Sequence, residues 1–215
     1  MINNYTCAIR IMESKNIDAM NSVERAMKRT CDVIVALVLL VVLSPVFLYI
    51  YVVQKITSEG PAIYSQERIG QGGRPFMIYK FRTMVVQTEK DEQKGWTVKG
   101  DPRVTKFGSF LRKTSLDELP QLFNVLIGQM SLIGPRPERP QFVEKFKEEI
   151  PRYMIKHQVR PGLTGWAQVN GYRGDTSIYK RIEYDIFYIE NWTMGFDLRI
   201  LFLTIFTGFI NKNAY

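Results

Sequence analysis

The residues best suited to chemistry lie at Asp117-Glu118, where two adjacent carboxylates precede an apolar helical segment. Arg112 lies five residues before the pair, and Arg136 follows about twenty residues after it. Ser115-x-x-Glu118 fits a capping box, and acids in a helix's first turn are favoured by the helix dipole. Flanked by cations, the same pair could instead serve an anionic substrate. The local pattern leaves both interpretations open.

A second candidate segment, Gly134-Pro135-Arg136-Pro137, continues to Arg139 and Pro140. Its three prolines predict a stiff, extended loop that holds Arg136 and Arg139 at fixed angles. A guanidinium fork on a rigid support suits phosphate, because its planar donors bind two oxygens together. A proline-rich connector with exposed arginines is the alternative interpretation.

Composition limits the partners that such a site could have. The chain has 215 residues, a formal charge of +8, 46% apolar residues and 13% aromatic residues. It can bury a sizeable core and is not a disordered basic tail. The charge predicts an anionic partner: nucleic acid, an anionic membrane surface or a phosphorylated substrate. Cys7 and Cys31 form no disulfide framework or metal-ligand spacing, and His157 is the single histidine, which disfavours a His-rich zinc site and a Ser-His-Asp triad.

The most apolar stretch is Val33 to Val53, 21 residues without a charge. At about 1.5 Å per residue it could cross a bilayer. Ser44-Pro45 falls near its middle, where proline removes a backbone bond and Ser44 could satisfy part of the freed carbonyl capacity. Basic residues flank both ends, and basic flanks prefer the cytoplasmic side. We therefore expect a re-entrant helix bent at Ser44-Pro45, with a simple span and a buried core helix as alternatives.

The remaining elements read as a mixed, mainly helical domain. A turn at 58–61 precedes two short strand patterns with a glycine-rich hairpin loop between them. Helical patterns cover 142–155, interrupted by Pro151, and 177–192, and the apolar segment 198–210 fits an interfacial helix. The polar stretch 87–100 reads as a solvated helix or a mobile loop. Trp166 could stack on a nucleobase, although burial of tryptophan is commoner.

Many motifs recur in one order along residues 28–215, and together they resemble the bacterial sugar transferases, monotopic polyprenyl-phosphate phosphoglycosyl transferases. The motifs are Lys28-Arg29…Asp32, Ser44-Pro45, Gly60-Pro61, Gln66-x-Arg68-x-Gly70, Lys80-Phe81-Arg82-Thr83-Met84, Asp101-Pro102-Arg103-x-Thr105, Leu111-Arg112, Thr114-Ser115-Leu116-Asp117-Glu118-Leu119-Pro120-Gln121, Asn124-Val125-Leu126-x-Gly128-x-Met130-Ser131, Gly134-Pro135-Arg136-Pro137, Pro161-Gly162-x-Thr164-Gly165-Trp166-Ala167-Gln168-Val169-Asn170-Gly171 and Asn213-Ala214-Tyr215. Cys31 stands where the family pattern has phenylalanine.

This resemblance implies transfer of a sugar phosphate from a UDP-sugar to undecaprenyl phosphate at the cytoplasmic face of a bacterial inner membrane, with release of UMP. It implies that Asp117 is the nucleophile of a covalent phosphosugar intermediate and that Glu118 binds Mg²⁺. The segment from Arg173 onward favours a hexose, glucose or galactose, in exopolysaccharide, capsule or O-antigen synthesis.

The other predicted site residues fall into two groups. Phosphate binding falls to Lys80, Arg82, Arg112 and Arg136. Nucleotide or sugar binding falls to Arg139, Thr164, Gly165, Trp166, Gln168 and Asn170.

The expected fold is α+β and mainly helical: a monotopic protein with the re-entrant helix, a small β element and interfacial amphipathic helices. We expect an extension at 1–27, the re-entrant helix at 28–57 and a catalytic domain at 58–215, without the four-helix membrane domain of larger members. Membrane phospholipid is an expected partner, nucleic acid is not, and a homodimer remains open. The competing hypotheses are a basic membrane-anchored protein that binds anions or lipid without catalysis, and a soluble nucleic-acid binder, which does not account for the uncharged segment.

Overall fold

The computed structural model describes residues 20–85, 101–174 and 176–210, and of 207–210 the backbone alone. The predictions for residues 1–19, for 87–100 and for the terminal motif 213–215 lie outside these ranges. The described helices are α1 Ser22–Val42, α2 Ser44–Thr57, α3 Lys106–Lys113, α4 Gln121–Leu126, α5 Pro140–Glu149, α6 Trp166–Val169, α7 Ile178–Glu190 and α8 Met194–Ile210. The strands are β1 Ile63–Ile69, β2 Pro75–Phe81, β3 Ser131–Ile133 and β4 Gly162–Thr164.

Helices α1 and α2 meet at a 58° bend at Leu43, directly before Ser44-Pro45. Pro45 has no N–H, so the carbonyl of Val41 loses its helical donor, and Ser44 Oγ donates to that carbonyl at 2.8 Å. The predicted bend and the predicted role of Ser44 are therefore confirmed. In the described residues, no single helix has the length and apolar character needed to span a membrane, whereas the bent pair passes that test as a unit.

Three polar residues of α1 attach this helix to the rest of the protein. Arg29 donates to the carbonyls of Val125 and Leu126 at the end of α4, at 2.6 and 2.7 Å. Asp32 accepts the backbone N–H of Leu132 in β3. Lys28 forms an ion pair with Asp197 of α8, which also accepts bonds from Tyr188 and Trp192. The Lys-Arg…Asp motif therefore docks the bent helix pair on the globular part.

Strands β1 and β2 form an antiparallel hairpin with Ile63 opposite Phe81 and Ile69 opposite Pro75. The connection contains a short 3₁₀ turn, Gln71–Gly73, in which Gly72 and Gly73 have positive φ. The glycine-rich loop therefore forms the predicted hairpin, because glycine adopts these dihedrals without a steric cost.

A second, two-stranded parallel sheet pairs β3 with β4, with Ser131 opposite Gly162 and Ile133 opposite Thr164. An added Cβ at Gly162 would lie 2.1 Å from the backbone nitrogen of Gly134, so the two backbones touch here. The main core surrounds this sheet and is formed by buried side chains of α1, α4, α5 and α7. Its largest fully buried side chains include Tyr153, Tyr188, Met130 and Ile182.

The predicted mainly helical α+β class is confirmed at this level: helices dominate the described residues and two small sheets accompany them. Helix α1 begins at Ser22, six residues before the predicted start of the re-entrant element. The predicted helices at 142–155, 177–192 and 198–210 correspond to α5, α7 and α8. The three domain boundaries and the monotopic topology remain predictions.

Candidate active site

Asp117 and Glu118 lie in a single 3₁₀ turn, Leu116–Glu118, between α3 and α4. Ser115 enters this turn with φ 56°, in the left-handed region that non-glycine residues rarely adopt, and its side chain makes no cap hydrogen bond. The capping-box interpretation is therefore wrong, because neither side chain bonds to the turn's backbone. The irregular helix start expected from Pro120 is confirmed, since α4 begins only at Gln121.

Glu118 is bound by three cationic side chains from three separate parts of the chain. Its Oε1 lies 2.8 Å from Lys80 Nζ, 2.7 Å from Arg136 Nη2 and 3.3 Å from Arg173 Nη2. Only 5% of Glu118 is exposed. Burial alone would raise the pKa of this carboxyl group, but Arg136, Lys80 and Arg173 hold that pKa well below its ordinary value of 4.5. Glu118 is thus a fixed carboxylate.

Asp117 has the opposite electrostatic environment although it is the adjacent residue. It is 7% exposed, and its Oδ1 has no hydrogen-bond partner among the described residues. Burial raises the pKa of Asp117, and the charge of Glu118 adds to this rise against the opposing effect of Lys80, Arg173 and Arg112. Asp117 lies in a three-residue 3₁₀ turn and not in the first turn of a regular helix, and burial is the largest influence on its pKa.

The predicted phosphate-binding residues separate into two groups. Lys80 and Arg136 contact Glu118 directly. Arg112 acts on Asp117 through its charge, while its Nε donates to Thr83 Oγ1 at 2.8 Å. Arg82 instead donates to the backbone and side-chain oxygens of Ser58 at the end of α2, away from the carboxylate pair. Phosphate binding by these four residues remains a prediction.

The six residues predicted to bind nucleotide or sugar make contacts with other parts of the fold. Thr164 pairs with Thr204, Gln168 and Asn170 donate to the carbonyls of Leu163 and Trp166, and Arg139 lies over the ring of Phe142. Gly165 approaches the carbonyl of Gly134 too closely for a Cβ. Trp166 lies in an aromatic cluster with Phe196, Tyr184 and Phe187, and Arg199 lies over its ring. Their assignment to the nucleotide stays a prediction.

Backbone contacts hold the proline-rich loop 134–139 beside the carboxylate pair. Gly134 N donates to Thr164 O, and Gly162 N donates to Pro135 O, so the loop continues the parallel pairing of β3 and β4. On its other side, Arg68 of β1 donates to Pro137 O. Support from two sheets holds the loop so that Arg136 Nη2 lies 2.7 Å from Glu118 Oε1. A stiff loop that fixes the direction of Arg136 was predicted from the three prolines.

Sequence reasoning missed Arg173 as a site residue and missed the conformation of Ser115. Arg173 Nη1 donates to Ser115 Oγ at 3.0 Å, so the arginine holds the strained residue that precedes the carboxylates. Arg173 stands alone in a loop 55 residues after Glu118, and no local pattern links the two. The sequence feature that could have drawn attention to Arg173 is the pair of glycines on either side of it. Gly171 and Gly174 both have positive φ in the structure.

The donor set can be compared with what a metal ion requires. Among residues 20–85, 101–174 and 176–210, no three His, Cys, Asp or Glu side chains form a metal-binding group. Mg²⁺ usually takes only one or two carboxylates, and substrate phosphates and water complete its coordination. The unpartnered Asp117 Oδ1 and Glu118 Oε2, which accepts a long 3.3 Å bond from Arg136, fit such a shared ion.

A family model described as bacterial sugar transferase matches residues 23–211. A UDP-glucose:undecaprenyl-phosphate glucose-1-phosphate transferase of Klebsiella pneumoniae is 50% identical over 200 residues, which cover 91% of this chain and 43% of that protein. The Escherichia coli protein of the same name is 47% identical with the same coverage. An undecaprenyl-phosphate galactose phosphotransferase of Salmonella typhimurium is 40% identical over 89% of this chain and 42% of that protein. The chain therefore spans less than half the length of these relatives.

Proposed function

This chain belongs to the bacterial sugar transferase family, and we propose that it transfers a sugar 1-phosphate from a UDP-sugar to undecaprenyl phosphate and releases UMP. The relatives are named as glucose or galactose transferases, so we propose that the transferred sugar is a hexose, with glucose as the first candidate. One observation carries the proposal: a buried carboxylate with a free oxygen lies next to a carboxylate that three cations surround.

Asp117 is the proposed nucleophile, and Glu118 is not. Glu118 Oε1 already accepts from Lys80 and Arg136, so its electron pairs are engaged. Asp117 Oδ1 has no donor on it among the described residues, and the pKa of Asp117 is raised, chiefly by burial. A more basic, unencumbered oxygen is the better nucleophile of the two, and nucleophilic catalysis divides one difficult transfer into two easier steps.

The charges around the pair suit a diphosphate. Lys80, Arg136, Arg173 and Arg112 act on the two carboxylates, so positive charges outnumber negative ones around the pair, although Arg112 also interacts with Asp101 and Arg136 with Glu138. A nucleotide sugar carries two negative charges on its diphosphate, which this surplus would neutralise. Preorganised cations at a partly desolvated site reduce the repulsion between an anionic nucleophile and an anionic phosphorus centre.

In the first proposed step, an Asp117 oxygen attacks the sugar-bearing phosphorus of the UDP-sugar. The new P–O bond forms as the bond to the bridging oxygen breaks, and UMP leaves with that electron pair. In the second step, a phosphate oxygen of undecaprenyl phosphate attacks the same phosphorus. The bond to Asp117 breaks, the carboxylate is restored, and undecaprenyl-diphosphate-sugar is the product.

Magnesium is part of the proposal, since the two carboxylates and a substrate diphosphate supply the oxygen ligands that it prefers. Glu118 would hold the ion. Asp117, the adjacent residue in the same turn, has an oxygen without a hydrogen-bond partner that could serve as a second ligand. When bound, Mg²⁺ supplies further charge neutralisation at the diphosphate.

Location at the cytoplasmic face of the inner membrane is likewise proposed. The bent helix pair exposes many large apolar side chains, namely Ile34, Leu37, Val38, Val41, Val42, Leu48, Tyr49, Tyr51, Val52 and Ile56. Phe202, Ile205 and Phe206 of α8 are exposed as well. Exposed apolar surface of this extent is typical of proteins that contact lipid or another apolar partner. A re-entrant position would bring a lipid phosphate and a water-soluble nucleotide sugar to the same site.

The test is UMP release by the purified protein with UDP-glucose, UDP-galactose or UDP-N-acetylgalactosamine, with and without polyprenyl phosphate and Mg²⁺. We expect release with a UDP-hexose that depends on the lipid acceptor for multiple turnovers. Absence of release from every UDP-sugar, with protein that binds anionic vesicles normally, would contradict the proposal and favour a binding protein.

The nucleophile has its own test. With a UDP-sugar labelled in the sugar and no lipid acceptor, wild type should retain label on the protein, whereas Asp117→Asn should retain none. Near-normal turnover by Asp117→Asn would exclude this aspartate as the attacking group.

A further inference from the structure

Arg181, in the first turn of α7, is 3% exposed and lies outside the carboxylate site. Its Nη1 donates to Glu138 Oε1 at 2.9 Å, and its Nη2 donates to the carbonyl of Gly174 at 2.7 Å. One guanidinium group therefore joins two chain segments. A buried arginine that forms an ion pair and a short bond to a backbone carbonyl is held in one orientation.

The two segments are those that carry Arg136 and Arg173. Glu138 follows Arg136 by two residues, with Pro137 between them, and Gly174 directly follows Arg173. Arg136 and Arg173 both reach Glu118 Oε1, at 2.7 and 3.3 Å. Arg181 thus joins the two segments whose arginines converge on one carboxylate.

The two segments differ in what else supports them. The loop with Arg136 is also held by β1, through Arg68 on Pro137 O and Ile69 N on Glu138 O, and by the β3–β4 pairing. The segment with Arg173 is held on one side by Tyr172, whose N–H donates to Ala167 O and whose ring packs on Tyr184, and on the other side by Arg181, which donates to Gly174 O and Thr176 Oγ1. Gly174 itself is exposed. Arg181 therefore supplies the side-chain hydrogen bonds that hold this segment after Arg173.

We propose that Arg181 is a positioning residue that sets Arg136 and Arg173 at the spacing needed to hold Glu118 between them. Its hydrogen bonds to Glu138, Gly174 and Thr176 hold the chain beside the two arginines, and it acts on Glu118 through the two segments. The kinetic part of this inference rests on the proposed function, whereas its structural part does not. Displacement of a catalytic group by about 1 Å can reduce a rate by about a hundredfold, so a remote fork of this kind affects turnover.

Arg181→Lys is the informative variant. It keeps the positive charge, but one ammonium group lacks the planar fork that reaches both acceptors. The matched control is Asp185→Asn, one helical turn later on α7, which alters an equally buried ion pair with Lys156. The charge of Asp185 acts on Arg181 and Glu138, but its ion pair is with Lys156, so this variant removes charge from the same buried cluster and leaves both contacts of the fork in place.

Hydrogen–deuterium exchange tests the structural part without any substrate. In Arg181→Lys we expect faster exchange in peptides that contain Arg136 and in peptides that contain Arg173. Glu138→Gln should speed exchange mainly in the Arg136 peptides, and Asp185→Asn in neither group. Unchanged exchange around Arg173 in Arg181→Lys would overturn the inference, as would equal loosening of both groups in Asp185→Asn.

A double-mutant cycle tests the kinetic part. Arg181→Lys should lower kcat by about tenfold or more, because both arginines shift. In an Arg173→Met background the same change should lower kcat by a smaller factor, because the arginine through which Arg181 acts on Glu118 is already absent. Equal factors in both backgrounds would show that Arg181 does not act through Arg173. If wild type releases no UMP from any UDP-sugar, the proposed function fails, and the exchange result alone decides the role of Arg181.

Discussion

Neutralisation of Asp117 and of Glu118 should change stability in opposite directions, although the residues are adjacent and equally buried. Burial raises the pKa of Asp117, so its ionised form is less favourable in the folded state than in the unfolded chain. The pKa of Glu118 is held well below its ordinary value despite burial, so its ionised form stabilises the fold. Asp117→Asn should therefore stabilise the protein, and Glu118→Gln should destabilise it.

The size of each effect follows from the contacts. Asp117 Oδ1 is buried without a partner, and a buried unsatisfied polar group costs about 1–3 kcal/mol. Asparagine also places a polar atom at this position, so the substitution removes only the additional cost of the buried charge and loses the attraction of Lys80, Arg173 and Arg112, and we expect a gain of about 1–2 kcal/mol for Asp117→Asn. Removal of one partner from a buried ion pair costs about 3–5 kcal/mol, which is the expectation for Glu118→Gln.

These free energies correspond to measurable shifts in Tm. For a domain of this size, 1 kcal/mol changes Tm by about 2–4 °C. We expect Asp117→Asn to melt about 2–8 °C above wild type and Glu118→Gln about 6–20 °C below it. Intrinsic-fluorescence melting of the three proteins in one detergent at pH 7.5 measures both. Shifts of the same sign for the two variants would refute the electrostatic description of the pair.

The pH dependence provides a second check on the same variants. Because the folded-state pKa of Asp117 is raised, its penalty is absent below its unfolded pKa, near the ordinary 3.8, and develops as pH rises through the folded value. The Tm advantage of Asp117→Asn should therefore narrow as pH is lowered from neutral. The stabilisation from Glu118 is present above its unfolded pKa, near the ordinary 4.5, and is lost as pH falls below it. A pH-independent gap for Asp117→Asn would contradict this assignment.

Three further predictions use other contacts. Arg29→Met should lower the unfolding free energy by about 2–4 kcal/mol in chemical denaturation, because two charged hydrogen bonds to α4 carbonyls are lost. An unchanged unfolding free energy would show that these two bonds do not stabilise the fold. Gly162→Ala should abolish soluble expression or activity, since its Cβ would lie 2.1 Å from a backbone nitrogen, whereas Gly195→Ala, with open space nearby, should express as wild type. Ser115→Gly should retain or raise Tm, because glycine relieves the left-handed strain, but it should lower kcat, because the hydrogen bond from Arg173 is lost. Ser115→Ala should lower both Tm and kcat. Equal kcat for wild type and Ser115→Gly would argue against the contact with Arg173.

The elements predicted best are those that local chemistry determines. The bend before Ser44-Pro45 follows from a missing N–H, and the hairpin around Gln71–Gly73 follows from glycines that accept positive φ. Both effects act within a few residues. A single sequence therefore contains enough information to predict them.

The carboxylate site depends on contacts that no local pattern contains. Lys80 lies 38 residues before Glu118 and Arg173 lies 55 after it, and only the fold brings them together. Family resemblance identified Lys80 but not Arg173. The capping box failed because the left-handed Ser115 rotates the turn away from helical geometry, which residue types alone do not reveal.

The hydrogen bonds from Arg29 to the end of α4 fix the distance between α1 and the carboxylate turn. The carboxylate turn ends at Glu118, α4 starts at Gln121, and Arg29 binds the carbonyls of Val125 and Leu126. A helix of this length extends about 9 Å, at roughly 1.5 Å per residue. The separation between the carboxylate pair and the bent helices is therefore fixed through this short helix, together with the contacts of Asp32 with Leu132 and of Lys28 with Asp197. At the proposed membrane location, an unrelated anchor of equal hydrophobicity would retain the protein but would not preserve the depth of its carboxylates.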